Sequence, residues 1–323
     1  ALELEAEAMK GIDRVAEQRA ARAAQEREKR ESMTTREVLD LYAQLHLSGL
    51  KNAAERKERR RNLERVFACR LDSPVSTLTT AECQRAIDAK VTKGKPVMAN
   101  RLRAHIRHFT RWCARRTYTP ADIGAMIDLA AREHGRDLVL SVAQVRRILE
   151  AARIEGAVWD GIVRLLVFTV QRSTEIRELL WSEVDMSART ITKPGPATKN
   201  SRAHVTHLSE PALDVLRTMQ GLRFAGCDFV FSLDGRKPPA SMGALKERLD
   251  ATLGEDFPDW TLHDLRTAAA TALAEAGYPE SVVDRILNHA ASGSAPSAVA
   301  RVYQRSDLLR QRAQALDAWA AMV

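Results

Sequence analysis

Only one stretch of this chain carries a clear β signal. RTITKPGPATKNSRAHVTHLS sets two short runs with β-branched residues on either side of a Pro/Gly/Asn turn, and predicts a hairpin of residues 189–192 with 202–208, its loop carrying Lys199. Nearly everywhere else, apolar residues recur at helical spacing, as in Val38, Leu41, Tyr42 and Leu45 of TTREVLDLYAQL, which Thr34 or Thr35 can cap. A chain of 323 residues, 45% of them hydrophobic, therefore builds its cores mainly from helices. The predicted fold class is mainly α, with one helical domain and one mixed α+β domain that holds a small antiparallel sheet. No internal repeat of about 20–50 residues competes with that reading.

The texture of the chain marks its divisions. Residues 1–32 mix acids and bases at helical spacing with few large apolar residues, as expected of a solvated or partner-docking helical linker. A helical region follows over 33–132. The polar, glycine-containing stretch REHGRDLVLS then breaks the pattern, and a freshly capped helix starts at SVAQVRRILEAAR, so a second domain is expected over 133–323. The longest apolar run, IVRLLVFTV, is about half of what a bilayer span needs and contains Arg164, and no secretion signal opens the chain. No membrane association and a cytoplasmic location are the expectation. Cys69, Cys83, Cys113 and Cys227 show no ligand spacing and read as reduced thiols; no metal site and no cofactor are expected.

A net charge of +8 favours a polyanionic partner, and its distribution says more than its size. Between Lys90 and Arg116 the chain has Lys93, Lys95, Arg101, Arg103, Arg107, Arg111 and Arg115 and not a single carboxylate. On one helix, Leu102, Ile106, Phe109 and Cys113 form an apolar stripe, while Arg103, Arg107 and Arg111 form a cationic one. A solvated face is the plain reading; the lack of acids favours phosphate contact. His105 and His108 share a ligand-like spacing, but nothing nearby supplies a third ligand.

TLHDLRTAAAT places His263 and Arg266 in the first turn of a helix that Thr261 can cap and that Gly277 and Pro279 end. The first turn of a helix favours an anion, although capping or a salt bridge would equally account for such a pair. Four other segments bear on the choice: FTVQRSTEIRELLWSEVD with Arg172 and Glu175, ATKNSR with Lys199, RILNHA ending at His289, and ARVYQRSDLLRQRAQALDAWAAM with Tyr303.

In this order the motifs resemble those of the tyrosine recombinases, specifically the phage and genomic-island integrases, closely over about residues 140–323 and more loosely over 33–132. The resemblance implies a helical core DNA-binding domain followed by a catalytic domain. The segment around GIDRVAEQRAA resembles the end of an arm-binding domain, which implies that such a domain would precede it. The chain departs from the family at three places. Val170 and Gln171 stand between Thr169 and Arg172, where relatives have a glycine after the threonine; Thr267 stands where many carry a second arginine; and AASGSAPSAVARV, between His289 and Tyr303, is long.

The implied activity is metal-free cleavage and rejoining of DNA strands through a 3′-phosphotyrosyl intermediate, integrating or excising a mobile element. Tyr303 would be the nucleophile, Arg172 and Arg266 the clamp on the phosphoryl oxygens, and Lys199 the general acid. His263 and His289 would orient the phosphate, and Glu175 would support Arg172. The implied partners are double-stranded DNA, three further copies in a homotetramer, and DNA-bending or directionality factors, in a bacterial nucleoid. The final helix, with Leu308, Leu309, Leu316 and Trp319 near one stripe, would dock on a neighbouring protomer or on its own domain. Two alternatives share the same motifs: a catalytically silent DNA-binding accessory protein, and a relaxing enzyme of the type IB topoisomerase kind.

Overall fold

The computed structural model describes residues 14–50, 52–132, 137–195, 203–240, 242–288 and 308–323. The chain divides into two compact units, residues 1–135 and 136–323. Among the described residues both are built mainly of α-helices, and one three-stranded antiparallel sheet lies in the second unit. No helix among them is long and apolar enough to cross a membrane.

The first described helix of the first unit is α1 (Arg14–Glu31), whose described side chains are exposed along its length, as its scarcity of large apolar residues predicts. Then come α2 (Thr35–Leu45), α3 (Ala53–Val66), α4 (Thr80–Thr92) and α5 (Pro96–Arg115). Their starts follow local chemistry. Thr34 with Glu37 and Thr79 with Glu82 form reciprocal capping boxes, Asn52 accepts from the N–H groups of Ala54 and Glu55, and Pro96 occupies the first turn of α5, where its missing N–H costs nothing. The core joins Val38, Leu39 and Tyr42 of α2 to Leu63, Cys83, Ile87 and the apolar stripe of α5, Leu102, Ile106, Phe109 and Cys113. The inward stripe of α2 is rotated from the expected one: Leu39 is buried and Leu45 is 58% exposed, because the helix ends at Leu45 and leaves it beyond the last packed turn.

The second unit is organised around α7 (Ala157–Thr169), on which Ile162, Val163, Leu165, Leu166, Val167 and Phe168 are all buried. Arg164 stays at the edge of this apolar helix, beside Asp160 at 4.0 Å and over the Phe168 ring. Helix α6 (Val142–Ala152), capped by Ser141 with Gln144, packs on one side of α7, and α9 (Glu210–Gly221) on another. Gly161 permits the second approach: a Cβ there would meet Phe231 at 3.0 Å and Val215 at 3.4 Å. Short α8 (Ser173–Arg177) follows α7, then the sheet β1 (Val184–Asp185), β2 (Thr190–Lys193), β3 (His204–His207), in that order. The β2–β3 register pairs Thr190 with His207 and Lys193 with His204. The expected hairpin is present in shortened form. Arg189 has φ +57° and belongs to the turn before β2, while Arg202 and the Lys199 loop lie outside the described residues. Strand β1 was not foreseen, since two residues are too few for an alternating pattern.

Helices α10 (Met242–Leu253), α11 (Asp264–Glu275), α12 (Glu280–Ile286) and α13 (Leu309–Met322) follow among the described residues. Helix α13 docks on its own unit. Ala315, Leu316 and Trp319 are buried, and the Trp319 indole N–H donates to the Val167 carbonyl at 2.8 Å. Leu309 turns outward, 51% exposed, whereas Arg312 is buried, so the packed stripe includes a charge that the apolar pattern did not reveal. Replacing Trp319 by Ala removes the largest packing element of α13 and is expected to destabilise the second unit by about 3–5 kcal/mol, read as a lower midpoint of its urea transition.

Candidate active site

The site begins where α7 stops. Thr169 is its last residue, and Val170 takes up the left-handed backbone, φ +57° and ψ +22°. That conformation suits glycine and costs a branched residue about 1–2 kcal/mol, so the valine performs the turn a glycine would make while its side chain remains buried. The turn delivers Arg172 to the N-cap of α8. Glu175, one turn on and 9% exposed, accepts from the Arg172 backbone N–H at 3.2 Å and from its guanidinium at 3.0 Å. One carboxylate thereby fixes both the start of α8 and the aim of Arg172.

Arg266 arrives from α11, which starts later than the sequence suggests. Thr261 is not its N-cap: the helix begins at Asp264, because Thr261 and Asp264 close a turn of their own, the Thr261 N–H donating to the Asp264 carboxylate at 2.7 Å and the Asp264 N–H to the Thr261 carbonyl at 2.9 Å. His263 occupies the N-cap position and is exposed; Arg266 is only 3% exposed. Its guanidinium donates to the Val170 carbonyl and, at 2.7 Å, to the Leu287 carbonyl. Its Nε is buried with no partner among the described residues. Burial, with Arg172 nearby and Glu175 acting against both, lowers its pKa to about 10, which leaves it charged at neutral pH.

The two arginines meet at one turn. Arg172 donates to the Asn288 carbonyl at 3.1 Å, Arg266 to that of Leu287, and Gln171 to that of Ile286 at 3.1 Å. Three consecutive carbonyls at the end of α12 are thus each captured by a different side chain. Lys199, His289 and Tyr303 lie outside the described residues, and His289 is next in sequence after this turn.

Three residues here escaped the sequence reading. Gln171 stands beside a recognised arginine but carries no motif of its own. His204, on β3, is 7% exposed, and its pKa is pushed down to about 4 by burial and by the charges of Arg312, Arg172 and Arg266, against a raising contact with the Ile286 backbone. Arg312 of α13 donates to the Val205 carbonyl and lies 3.5 Å from His204 Nε2. The missed signal is the inverted alternation of HVTH: His204 and Thr206 face inward, Val205 and His207 partly outward.

The cationic stripe of α5, in the first unit, is tied to the segment that follows that helix. Arg103 donates to the Ile127 carbonyl at 2.8 Å and Arg107 to that of Ala125 at 2.6 Å, and Arg111 lies 3.7 Å from Asp122. Lys93, Lys95 and Arg101 are exposed. His105 and His108 approach Asn62 and Tyr42, respectively.

The buried imidazole has a measurable cost in acid. The unfolded chain takes up a proton on His204 near pH 6.5 and the folded one only near 4, so the unfolded state binds more protons in that window and stability falls as pH drops through it. The loss is on the order of 3 kcal/mol. In His204→Gln, the drop in unfolding free energy between about pH 7 and about pH 4.5 should be smaller than in the wild type by about 2–3 kcal/mol, as measured by urea denaturation at each pH.

The chain matches the phage integrase family over residues 139–306. It is 33% identical over 159 residues to prophage integrase IntA of Escherichia coli (strain K12), covering 49% of this chain and 37% of that protein. It is 27% identical over 237 residues to prophage integrase IntZ of the same organism, covering 72% and 57%. The chain thus spans less than two thirds of the length of these relatives. Among solved structures, a lambda integrase tetramer bound to a Holliday junction superposes with a TM-score of 0.66 at 18% identity, over 83% of this chain and 81% of that one. The Tn1549 transposon integrase in complex with circular intermediate DNA gives 0.61 at 16%, over 85% and 100%. These two likenesses bear on the fold, and the family match covers more than half of the chain: this protein belongs to the phage integrase family.

Proposed function

We propose that the chain is a site-specific DNA recombinase that integrates or excises a mobile element. The observation that carries this reading is the convergence of Arg172 and Arg266, from separate helices, on the 287–288 turn that leads directly into His289. Two permanently charged forks held side by side suit the nonbridging oxygens of a phosphodiester, whose negative charge grows in a pentacoordinate transition state. Glu175 neutralises part of their mutual repulsion.

In the proposed reaction the Tyr303 phenol oxygen attacks the phosphorus and the bond to the 5′ oxygen breaks. The departing oxygen takes a proton from Lys199, and a 3′-phosphotyrosyl link is left. Attack by a different 5′-hydroxyl reverses these steps and joins new strands without ATP, because the phosphodiester bond energy is retained. His263 and His289 orient the phosphate and carry away the proton that the Tyr303 phenol loses as its oxygen bonds to phosphorus. The first unit serves as the core DNA-binding domain, with Lys93, Lys95, Arg101, Arg103, Arg107 and Arg111 on its basic side, the second unit as the catalytic domain, and residues 1–32 as a helical linker. Double-stranded DNA is the substrate and four protomers form the assembly, a reading supported by the likeness to lambda integrase, solved as a tetramer on a Holliday junction. DNA-bending and directionality factors are its expected helpers, in the bacterial nucleoid.

A nicked suicide substrate tests the chemistry. The protein should form an SDS-stable adduct that Tyr303→Phe abolishes, and Lys199→Ala should slow adduct formation by about 10²–10⁴-fold with DNA binding largely kept. Binding without an adduct in the intact protein would favour a silent accessory factor, and relaxation of supercoils without strand transfer between two sites a topoisomerase. The basic side makes a separate prediction: Lys93→Ala, Lys95→Ala and Arg101→Ala should each take one cation off the DNA backbone and flatten the plot of log affinity against log salt by about 0.9.

A further inference from the structure

His204 lies between two chain segments that flank the stretch bearing His289 and Tyr303. On the upstream side its ring lies against the backbone of Ile286, the residue whose carbonyl accepts from Gln171. On the downstream side Arg312 of α13 reaches the Val205 carbonyl and brings Nη2 to 3.5 Å from His204 Nε2. A guanidinium only donates, so this contact needs the lone pair on Nε2 and leaves the ring proton on Nδ1. A charged imidazole would lose that acceptor and face Arg312, Arg172 and Arg266 with a like charge; a neutral one can accept on one side and donate on the other. No apolar residue of similar size offers both.

We propose that His204 is a positioning residue whose neutral ring ties the end of α12 to the start of α13 and thereby fixes both ends of the segment that carries the nucleophile. The proposal rests on the recombinase reading above. His204 does not touch the phosphate; it acts through Arg312 and the 286–288 turn. Tyr303 lies between these two anchors in sequence, so breaking either one is expected to slow attack by the phenol.

Two measurements on the full chain test this. With saturating suicide substrate, His204→Leu should slow adduct formation by about tenfold or more while its Kd for DNA stays within about twofold. His204→Gln, which keeps an acceptor and a donor, should recover to within about threefold of the wild-type rate. His204→Leu combined with Arg312→Gln should be no slower than the slower single variant, as expected of two partners in one contact. In the DNA-free protein, His204→Leu should raise amide hydrogen exchange of α13 by about tenfold and leave α9 unchanged. If His204→Leu does not fold, Arg312→Gln breaks the same contact from the other side and is read in both assays. Wild-type protein that binds DNA without forming an adduct would sink the recombinase reading, and exchange in α13 would still judge the tie. Unchanged exchange in α13, wild-type cleavage by the leucine variant, or losses that multiply in the double variant would each overturn the proposal.

Discussion

The second unit depends on how the end of α12 is held. A helix C-terminus leaves its last carbonyls without intrahelical partners, and here those of Ile286, Leu287 and Asn288 are taken by Gln171, Arg266 and Arg172. Hydrogen bonds from charged donors to buried carbonyls are among the stronger ones available, on the order of 1.5–3 kcal/mol each. The bonds also aim the donors. Side chains from the α7–α8 junction and from α11, distant in sequence, are fixed relative to each other because they grip adjacent peptide units of a third element.

Like charges placed this close need compensation, and its sources are specific. Glu175 supplies one full negative charge, bound to Arg172 through both its backbone and its side chain. The Val170 and Leu287 carbonyls add partial negative charge around Arg266. Even so, burial and the neighbouring cation lower the Arg266 pKa to about 10, and push His204 to about 4, where it is neutral under ordinary conditions. The cluster carries an excess of positive charge shielded from water, a setting in which an anion gains far more than it would at the surface. Val170 in its left-handed conformation belongs to the same arrangement: the turn is strained for valine, but it points the Val170 carbonyl at Arg266 and presents Arg172 at the next helix.

Much of this was legible along the chain. Arg172, Glu175, His263 and Arg266 stand in motifs whose order carries the family resemblance, and the structure describes all four, with Arg172 and Arg266 on one turn and Glu175 beside them. The hairpin was readable from β-branched runs around a turn, and the apolar stripe of α5 from its period. Gln171, His204 and Arg312 were not: Gln171 sits in the junction between α7 and α8, where no periodic pattern applies, and His204 and Arg312 are polar residues turned inward on elements whose pattern gives no sign of it. Their burial makes sense only once their partners, the Ile286 and Val205 backbone among them, have been brought from more than a hundred residues away. The arginines of α5 make the complementary case: as a run free of acids they read as a cationic face, yet the following segment folds back to offer Arg103 and Arg107 carbonyls and Arg111 a carboxylate.

Sequence alone determined the helical class, the caps that start α2, α4 and α6, the β2–β3 hairpin and the identity of the motif residues, because these follow from local periodicity and from side chains that act on their own backbone. Tertiary structure decided which face of β3 turns inward, on which surface α13 rests and which carbonyls the two arginines hold. Those outcomes depend on partners remote in the chain, and a buried donor accepts whatever carbonyl the fold delivers to it, which no local pattern encodes.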